Sequence, residues 1–310
     1  MKTPATLSVL LDGLIDYAGL FPPAKLDMPD MVATYRRVML DPRGWMVGRV
    51  IVPVARLAEF EQAAADLLPD EEEAEPWCLS ALTRPCGDDG FAEDLDTIEA
   101  FNQRHAEPAA GRAVVDVIEA AGDCAEAIDR ALDLMPDTLF PFIEIPLAGD
   151  PRGLLAVLAG SEAAAKIRTG GVRPELYPGS GEVARFLVAA AAAGVPFKAT
   201  AGLHHPFPND HPVVPARQHG FIGVYTAAAA AHAAEADAET VRRIIEIDDP
   251  SAFAFDDASL TVSDLHLTRD DLEEARLGFA ISYGSCSIDE PWEDLEAIDW
   301  LTPQTETTGS

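Results

Sequence analysis

Lysine is nearly missing from this chain. Only four of its 310 residues are lysine (Lys2, Lys25, Lys166 and Lys198), against 18 arginines. Cysteine is scarce as well. Cys78, Cys86, Cys124 and Cys286 form no CxxC pair and no zinc-ligand spacing. That pattern argues against a disulfide framework and fits structural thiols in a reducing cytoplasm. Long apolar runs are absent. The longest, "FLVAAAAAGVPF" (186–197), falls short of the ~18 residues a bilayer helix needs. The N-terminus "MKTPATLSVLLDG" has one lysine, a short apolar run with Asp12 behind it and no cleavage site, so it reads as a helix and not a signal peptide. A basic surface is also lacking. With 53 acidic and 22 basic residues the net charge is −31, which repels nucleic acid and anionic membranes and excludes both as partners. A lysine-poor, carboxylate-rich surface suits high salt, where screening removes the self-repulsion. A merely acidic, alanine-rich composition is the plainer account.

What is present is a hydrophobic fraction of 48%, ample for a large core. Strand-like and helix-like runs alternate along it. The strand-like runs are "LIDYAG", "GRVIVP", "WCLSALT", "AVVDVIEA", "PFIEIPL", "AAKIRTGG", "PFKATAG" and "AISYGSCS". Most are followed by a helix-like run such as "LAEFEQAAADLL" or "SGEVARFLVAAAAAG". The alternation predicts an α/β fold with a parallel sheet, and eight units predict a closed (β/α)₈ TIM barrel. Thr3, Pro4 and Gly13 mark an extra N-terminal helix over its bottom, with Thr3 as N-cap. Residues 1–301 read as one barrel domain, with a less regular insertion over 240–278 before the last strand. The tail 302–310 reads as disordered and the acidic run "DEEEAE" (70–75) as a solvated loop. An open doubly wound sheet is the runner-up, but no GxGxxG follows the first strand.

Barrel chemistry takes place at the C-terminal ends of the strands. The polar residues late in each strand are therefore the candidates: Asp16, Tyr17, Arg49, Asp116, Glu119, Glu144, Lys166, Arg168, Lys198, Thr200, His204, His205, Tyr283, Ser285 and Cys286. Period-two geometry sorts them. In "AKIRTGG", Lys166 and Arg168 share a face opposite Ile167. In "FKATAG", Lys198 and Thr200 share a face opposite Phe197 and Ala199. Glu144 points inward between Ile143 and Ile145, and Asp116 is expected inward too. Two lysines and an arginine then converge on the barrel mouth, and they need Asp116 and Glu144 as partners. The bland alternative is an internal salt-bridge network that only holds the barrel. Convergence at the catalytic end favours chemistry.

A lysine beside other cations in a partly dry pocket has a depressed pKa, and its neutral amine can attack a carbonyl to form a Schiff base. "AKIRTGG" on strand six and "FKATAGL" on strand seven resemble the paired lysine strands of deoxyribose-phosphate aldolase and related class I aldolases. The resemblance covers about residues 110–205. It implies Lys166 as nucleophile, Lys198 as its tuner and Asp116 as proton-transfer residue. Arg168 departs from the small residue of that strand-six motif, "GLHHP" has no counterpart, and "YGSCS" replaces the glycine-serine phosphate loop, which leaves the substrate open. Read as a set, "DYAGLFPPA", "KATAGLHHP" and "GSCSIDEP" also resemble a bacterial family from which no role follows.

The remaining features bear on ligands. Gly170 and Gly171 of "RTGG" and Gly284 and Ser285 of "YGS", with Arg168, His204 or His205, fit an anion site for a carboxylate or phosphate. Asp16 and Tyr17 with the rigid "FPPA" loop form a further wall. No cofactor is called for, though His204 or His205 with His211, His219, Glu144 or Asp116 leaves a divalent metal open. Cys286 as nucleophile is a minor alternative. The expected function is a cytoplasmic carbon–carbon lyase, aldolase-like, acting through a lysine imine on a small anionic carbonyl metabolite. A lysine/carboxylate isomerase, cycloisomerase or lactone-processing enzyme, metal-assisted or not, is the second reading, and a non-catalytic binding protein the third. A homo-oligomer stays open.

Overall fold

The computed structural model describes residues 3–69 and 75–301. Most of the acidic run and the whole tail discussed above lie outside these. In chain order the elements are α1 (Ala5–Leu11), β1 (Ile15–Tyr17), α2 (Met28–Leu40), β2 (Val47–Pro53), α3 (Leu57–Ala64), β3 (Trp77–Leu82), α4 (Phe91–His105), β4 (Ala113–Ala121), α5 (Ala125–Leu132), β5 (Phe140–Glu144), α6 (Arg152–Leu158), β6 (Ala164–Arg168), α7 (Ser180–Ala193) and β7 (Phe197–Thr200). There follow a two-residue pair, β8 (Asn209–Asp210) and β9 (Arg217–Gln218), then α8 (Phe221–Ala233) and α9 (Ala238–Ile245). A meander of β10 (Phe253–Phe255), β11 (Ser259–Val262) and β12 (Leu265–Thr268) leads to α10 (Arg269–Gly278), β13 (Ala280–Ser285) and α11 (Asp289–Ala297).

Eight strands close into a barrel in the order β1-β13-β7-β6-β5-β4-β3-β2, every neighbour parallel. This is the (β/α)₈ barrel the alternation predicts. Parallel strands align their C-terminal ends at one mouth, so loop residues far apart in sequence meet there. The helix-facing strand residues are apolar and sealed, as Ile143, Ile167, Phe197 and Ala199 show. Inside the barrel, Val117, Phe142 and Ala164 form a small apolar layer of their own.

The segment expected to be irregular is ordered. Phe253, Leu260, Val262 and Leu267 are buried, and 253–268 pairs as an antiparallel meander with Phe253 opposite Val262 and Leu260 opposite Leu267. Thr268 then caps α10 in a reciprocal box with Asp271. Helix α1 begins one residue later than expected, with Pro4 and not Thr3 at the N-cap. Its partners are α10 and the meander. Thr6 donates through N and Oγ1 to the Asp256 carbonyl, and Arg276 Nε donates to the Leu10 carbonyl at 3.0 Å.

Candidate active site

The barrel mouth holds a cavity of about 420 Å³. Lys166, Glu119 and Glu144 line its floor, Arg168 and Thr200 its side, and Gly171, His204, Gly284 and Cys286 its upper wall. A second lobe of about 370 Å³ continues outward past Pro22, Tyr177, His205 and Val213.

Register explains the floor. Glu144 pairs with Lys166, Lys166 with Lys198, and Lys198 with Ser282 across β5, β6, β7 and β13. The Lys198 ammonium donates to Asp16 Oδ2 at 2.5 Å and to Glu119 Oε1 at 2.7 Å. Lys166 Nζ lies 2.7 Å from Glu119 Oε2 and 2.8 Å from Glu144 Oε2. Arg168 Nε donates to Glu144 Oε1 at 3.0 Å. Three cations and three carboxylates therefore alternate in one chain: Asp16, Lys198, Glu119, Lys166, Glu144, Arg168. Hydroxyls and an amide fill the remaining acceptor positions. Ser80 Oγ donates to Glu119 Oε1 at 2.7 Å, Ser282 Oγ to Asp16 Oδ2 at 2.7 Å, and the Arg49 amide to Asp16 Oδ1 at 3.0 Å.

Exposure grades along that chain. The Lys198 side chain is 0% exposed, Lys166 4%, Glu144 21% and Arg168 42%. Burial would push the Glu119 carboxyl up, but the ammonium groups of Lys166 and Lys198 hold it far below the usual carboxylate range. Burial likewise opposes ionisation of Glu144, and Lys166 and Arg168 still hold it low. Burial would lower Lys198, but Asp16 and Glu119 outweigh it and raise the amine above its ordinary value. The expected depression of a lysine pKa is thus reversed at Lys198, because its near neighbours are carboxylates rather than cations.

The candidates divide. Glu144, Lys166, Arg168 and Thr200 come together on the floor and side of the mouth, while Asp16 and Lys198 join the same ion chain without reaching the cavity. Gly171, Gly284 and His204 join them on the cavity wall. His205 lines only the outer lobe, with Nδ1 2.6 Å from Asp294 Oδ2. Gly170 serves packing: a Cβ there would sit 2.7 Å from the Gly202 Cα, so the loops after β6 and β7 touch backbone to backbone. Tyr17 and Tyr283 do not enter the cavity. They alternate with Asp16 and Gly284 and point outward, Tyr17 stacked on Tyr35 and Tyr283 on Phe221. Ser285 Oγ turns to the Ser287 carbonyl at 2.6 Å.

Asp116 stands apart as well. It takes a two-pronged pair from Arg49, with Nε 2.8 Å and Nη2 2.6 Å from its oxygens, and it does not line the cavity. Glu119 is the carboxylate that touches both lysines. The cause is a bulge: β3 pairs Leu79 with Val115 but Ser80 with Val117, so the phase of β4 slips at Asp116. Strict alternation from an inward Asp116 would turn Glu119 outward.

The histidines are individually occupied. His204 Nδ1 lies 3.0 Å from Glu290 Oε2, and His211 Nδ1 accepts from the amides of Val213 and Val214. His219 Nε2 bonds the Pro178 carbonyl. Among the described residues no three His, Cys, Asp or Glu side chains converge to hold a metal ion. Among the same residues no helix is long and apolar enough to cross a membrane.

The barrel with this charged floor defines an α/β protein of (β/α)₈ class, compatible with an enzyme. No protein-family model matches the chain, and comparison with curated proteins finds no match.

Proposed function

We propose that the protein is a carbon–carbon lyase in which Lys166 forms an imine with a small anionic carbonyl compound. The observation that carries this reading is the position of Lys166: it is the lysine that reaches the cavity, with an acid–base partner on its solvent side. Arg168 is the anion receptor, exposed enough to exchange Glu144 for a substrate carboxylate or phosphate. That exchange removes one cation from Glu144 and raises its basicity, so Glu144 takes the Lys166 proton. The neutral amine adds to the carbonyl carbon, and the oxygen leaves as water after two proton transfers through Glu144. The protonated imine then accepts the electron pair of the breaking carbon–carbon bond while Glu144 takes the proton of the adjacent hydroxyl, whose oxygen becomes the carbonyl of the departing fragment, and water releases the remaining product from Lys166. Lys198 does not reach the cavity, and Glu119 on the floor joins it to Lys166. They fix the amine and set the local field, which is the tuning role the aldolase resemblance gives to Lys198.

Borohydride reduction in the presence of small oxo acids and hydroxyaldehydes tests this. The expected result is an irreversible mass increase on the β6 peptide containing Lys166. A compound that is turned over without leaving such an adduct overturns the imine.

One observation favours a second reading. Lys166 Nζ stands at ion-pair distance from two carboxylates, 2.7 Å from Glu119 and 2.8 Å from Glu144. An ammonium polarises a carbonyl without covalent attack, with Glu144 as base, which is isomerase or lactone chemistry. Lys166→Arg separates the two: it retains activity in the second mechanism and abolishes it in the first.

A further inference from the structure

The wall of the same cavity carries a second nucleophile, placed by loops that the lysine chemistry does not use. Cys286 follows β13 and lines the cavity. Its sulfur lies 3.8 Å from His204 Nε2, and the other nitrogen of that ring, Nδ1, lies 3.0 Å from Glu290 Oε2. A thiol, an imidazole and a carboxylate are thus in line, with base touching nucleophile and carboxylate orienting base. We infer that Cys286, His204 and Glu290 form a second nucleophilic site, in which a Cys286 thiolate paired with His204 adds to the carbonyl carbon of an aldehyde.

Each part has the environment its role needs. His204 is mostly buried; burial disfavours its cation, but the bonds to Cys286 and Glu290 push its pKa up to about 9. The imidazole, 3.8 Å from the sulfur, is therefore the base placed to take the thiol proton. Glu290 is kept ionised below its ordinary range by the same histidine. The other charged groups facing the trio are His205 beside Glu290, Asp289, which is tied to Arg37, and Lys166, Glu144 and Arg168 across the cavity. Tyr17 lies behind the thiol, its hydroxyl held neutral by burial. The remaining cysteines lack this arrangement. Cys86 is buried and pushed up to about 11, burial also raises Cys78, and Cys124 is exposed with its sulfur 3.0 Å from Glu126 Oε2.

The addition balances without a co-reactant. The sulfur donates its lone pair to the carbonyl carbon, the π pair moves to oxygen, and the His204 Nε2 proton passes to that oxygen. The product is a hemithioacetal and the reverse path restores the ion pair. This goes beyond the imine reading and does not depend on it.

Iodoacetamide is the probe: sulfur–carbon bond formation expels iodide, and the tagged peptide reports which cysteine reacted. An ordinary thiol of pKa ~8.5 is about 1% ionised at pH 6.5, so an ion-paired thiolate gains up to ~100-fold. Its lower intrinsic nucleophilicity and partial burial take back part of that. The expected result is Cys286 alkylated at least ~10-fold faster than Cys124 at pH 6.5. His204→Asn, with fold checked by circular dichroism, removes the advantage, and Glu290→Gln, an exposed change, reduces it by about 3-fold. Alkylation of Cys286 no faster than Cys124 in the parent protein, or a rate that His204→Asn does not alter, overturns the proposal.

Discussion

Lys198 and Lys166 are neighbours in one register row, both bound to Glu119, and yet they occupy opposite situations. Lys198 is sealed between Asp16 and Glu119 over the apolar layer, its ammonium 5.2 Å from the Phe142 ring centroid. Lys166 has a second carboxylate that itself leans toward solvent and Arg168. The difference teaches that one ion network holds a fixed end and an adjustable end. At the fixed end every partner is fully buried, so removing one leaves a bare charge. At the adjustable end the partners can turn to each other or to water.

The sharpest way to break this comparison is Lys198→Met. It strands Asp16 and Glu119 together without their common cation, and breaking a buried pair costs about 3–5 kcal/mol. Urea denaturation should report that loss. The same change at Lys166 leaves Glu119 with Lys198 and Glu144 with Arg168, so stability falls by about 1–2 kcal/mol while turnover through the imine is abolished. Equal losses of stability at the two positions would make Lys166 a structural ion and favour the binding-protein reading.

Glu144→Gln sharpens the functional end. The amide still accepts from Lys166 but carries no proton between steps, so turnover should fall about 100-fold with stability changed by less than about 1 kcal/mol. An unchanged pH–rate profile would remove Glu144 from proton transfer. Arg168→Gln should be milder. Losing an exposed anion receptor raises KM by roughly tenfold and leaves kcat nearly unaltered. Titration with pyruvate, as a simple oxo acid, would read the weakened binding directly.

Much of this contrast was legible in the sequence. Eight alternating units gave the barrel, and period two placed Lys166, Arg168, Lys198, Thr200 and Glu144 on its inner face. Tyr17, expected in a wall, Ser285, expected at the anion site, and Tyr283 follow the same alternation outward, because the pleat continues to the strand's last residue. Glu119 stands among the sequence candidates, but its place between the two lysines was hidden for a different reason. A bulge carries no side-chain signature in "AVVDVIEA", so the slip that turns Glu119 inward is visible only once β3 and β4 are paired. The Cys286–His204–Glu290 line was hidden by separation, since thiol and imidazole stand 82 positions apart and only barrel closure joins them.

The smallest effect is a pH dependence, and its sign separates the two ends. Glu119 and Glu144 have folded pKa values depressed below the unfolded carboxylate value of about 4.3. Their stabilisation is therefore present above that pH and is lost as pH falls through the folded values. Lys198 has a folded value raised above the unfolded lysine value of about 10.4. Its contribution is present below that pH and is lost as pH rises through the folded value. Stability from this network should thus be flat across neutral pH and decline on both flanks. Lys166→Met weakens the hold on Glu119, so the acid flank should move to higher pH while the alkaline flank, set by Lys198 with Asp16 and Glu119, stays in place. Urea midpoints of both proteins from pH 3 to 11 would show this. Movement of the alkaline flank instead would mean that the two lysines act as one unit, and that the fixed and adjustable ends are not separable.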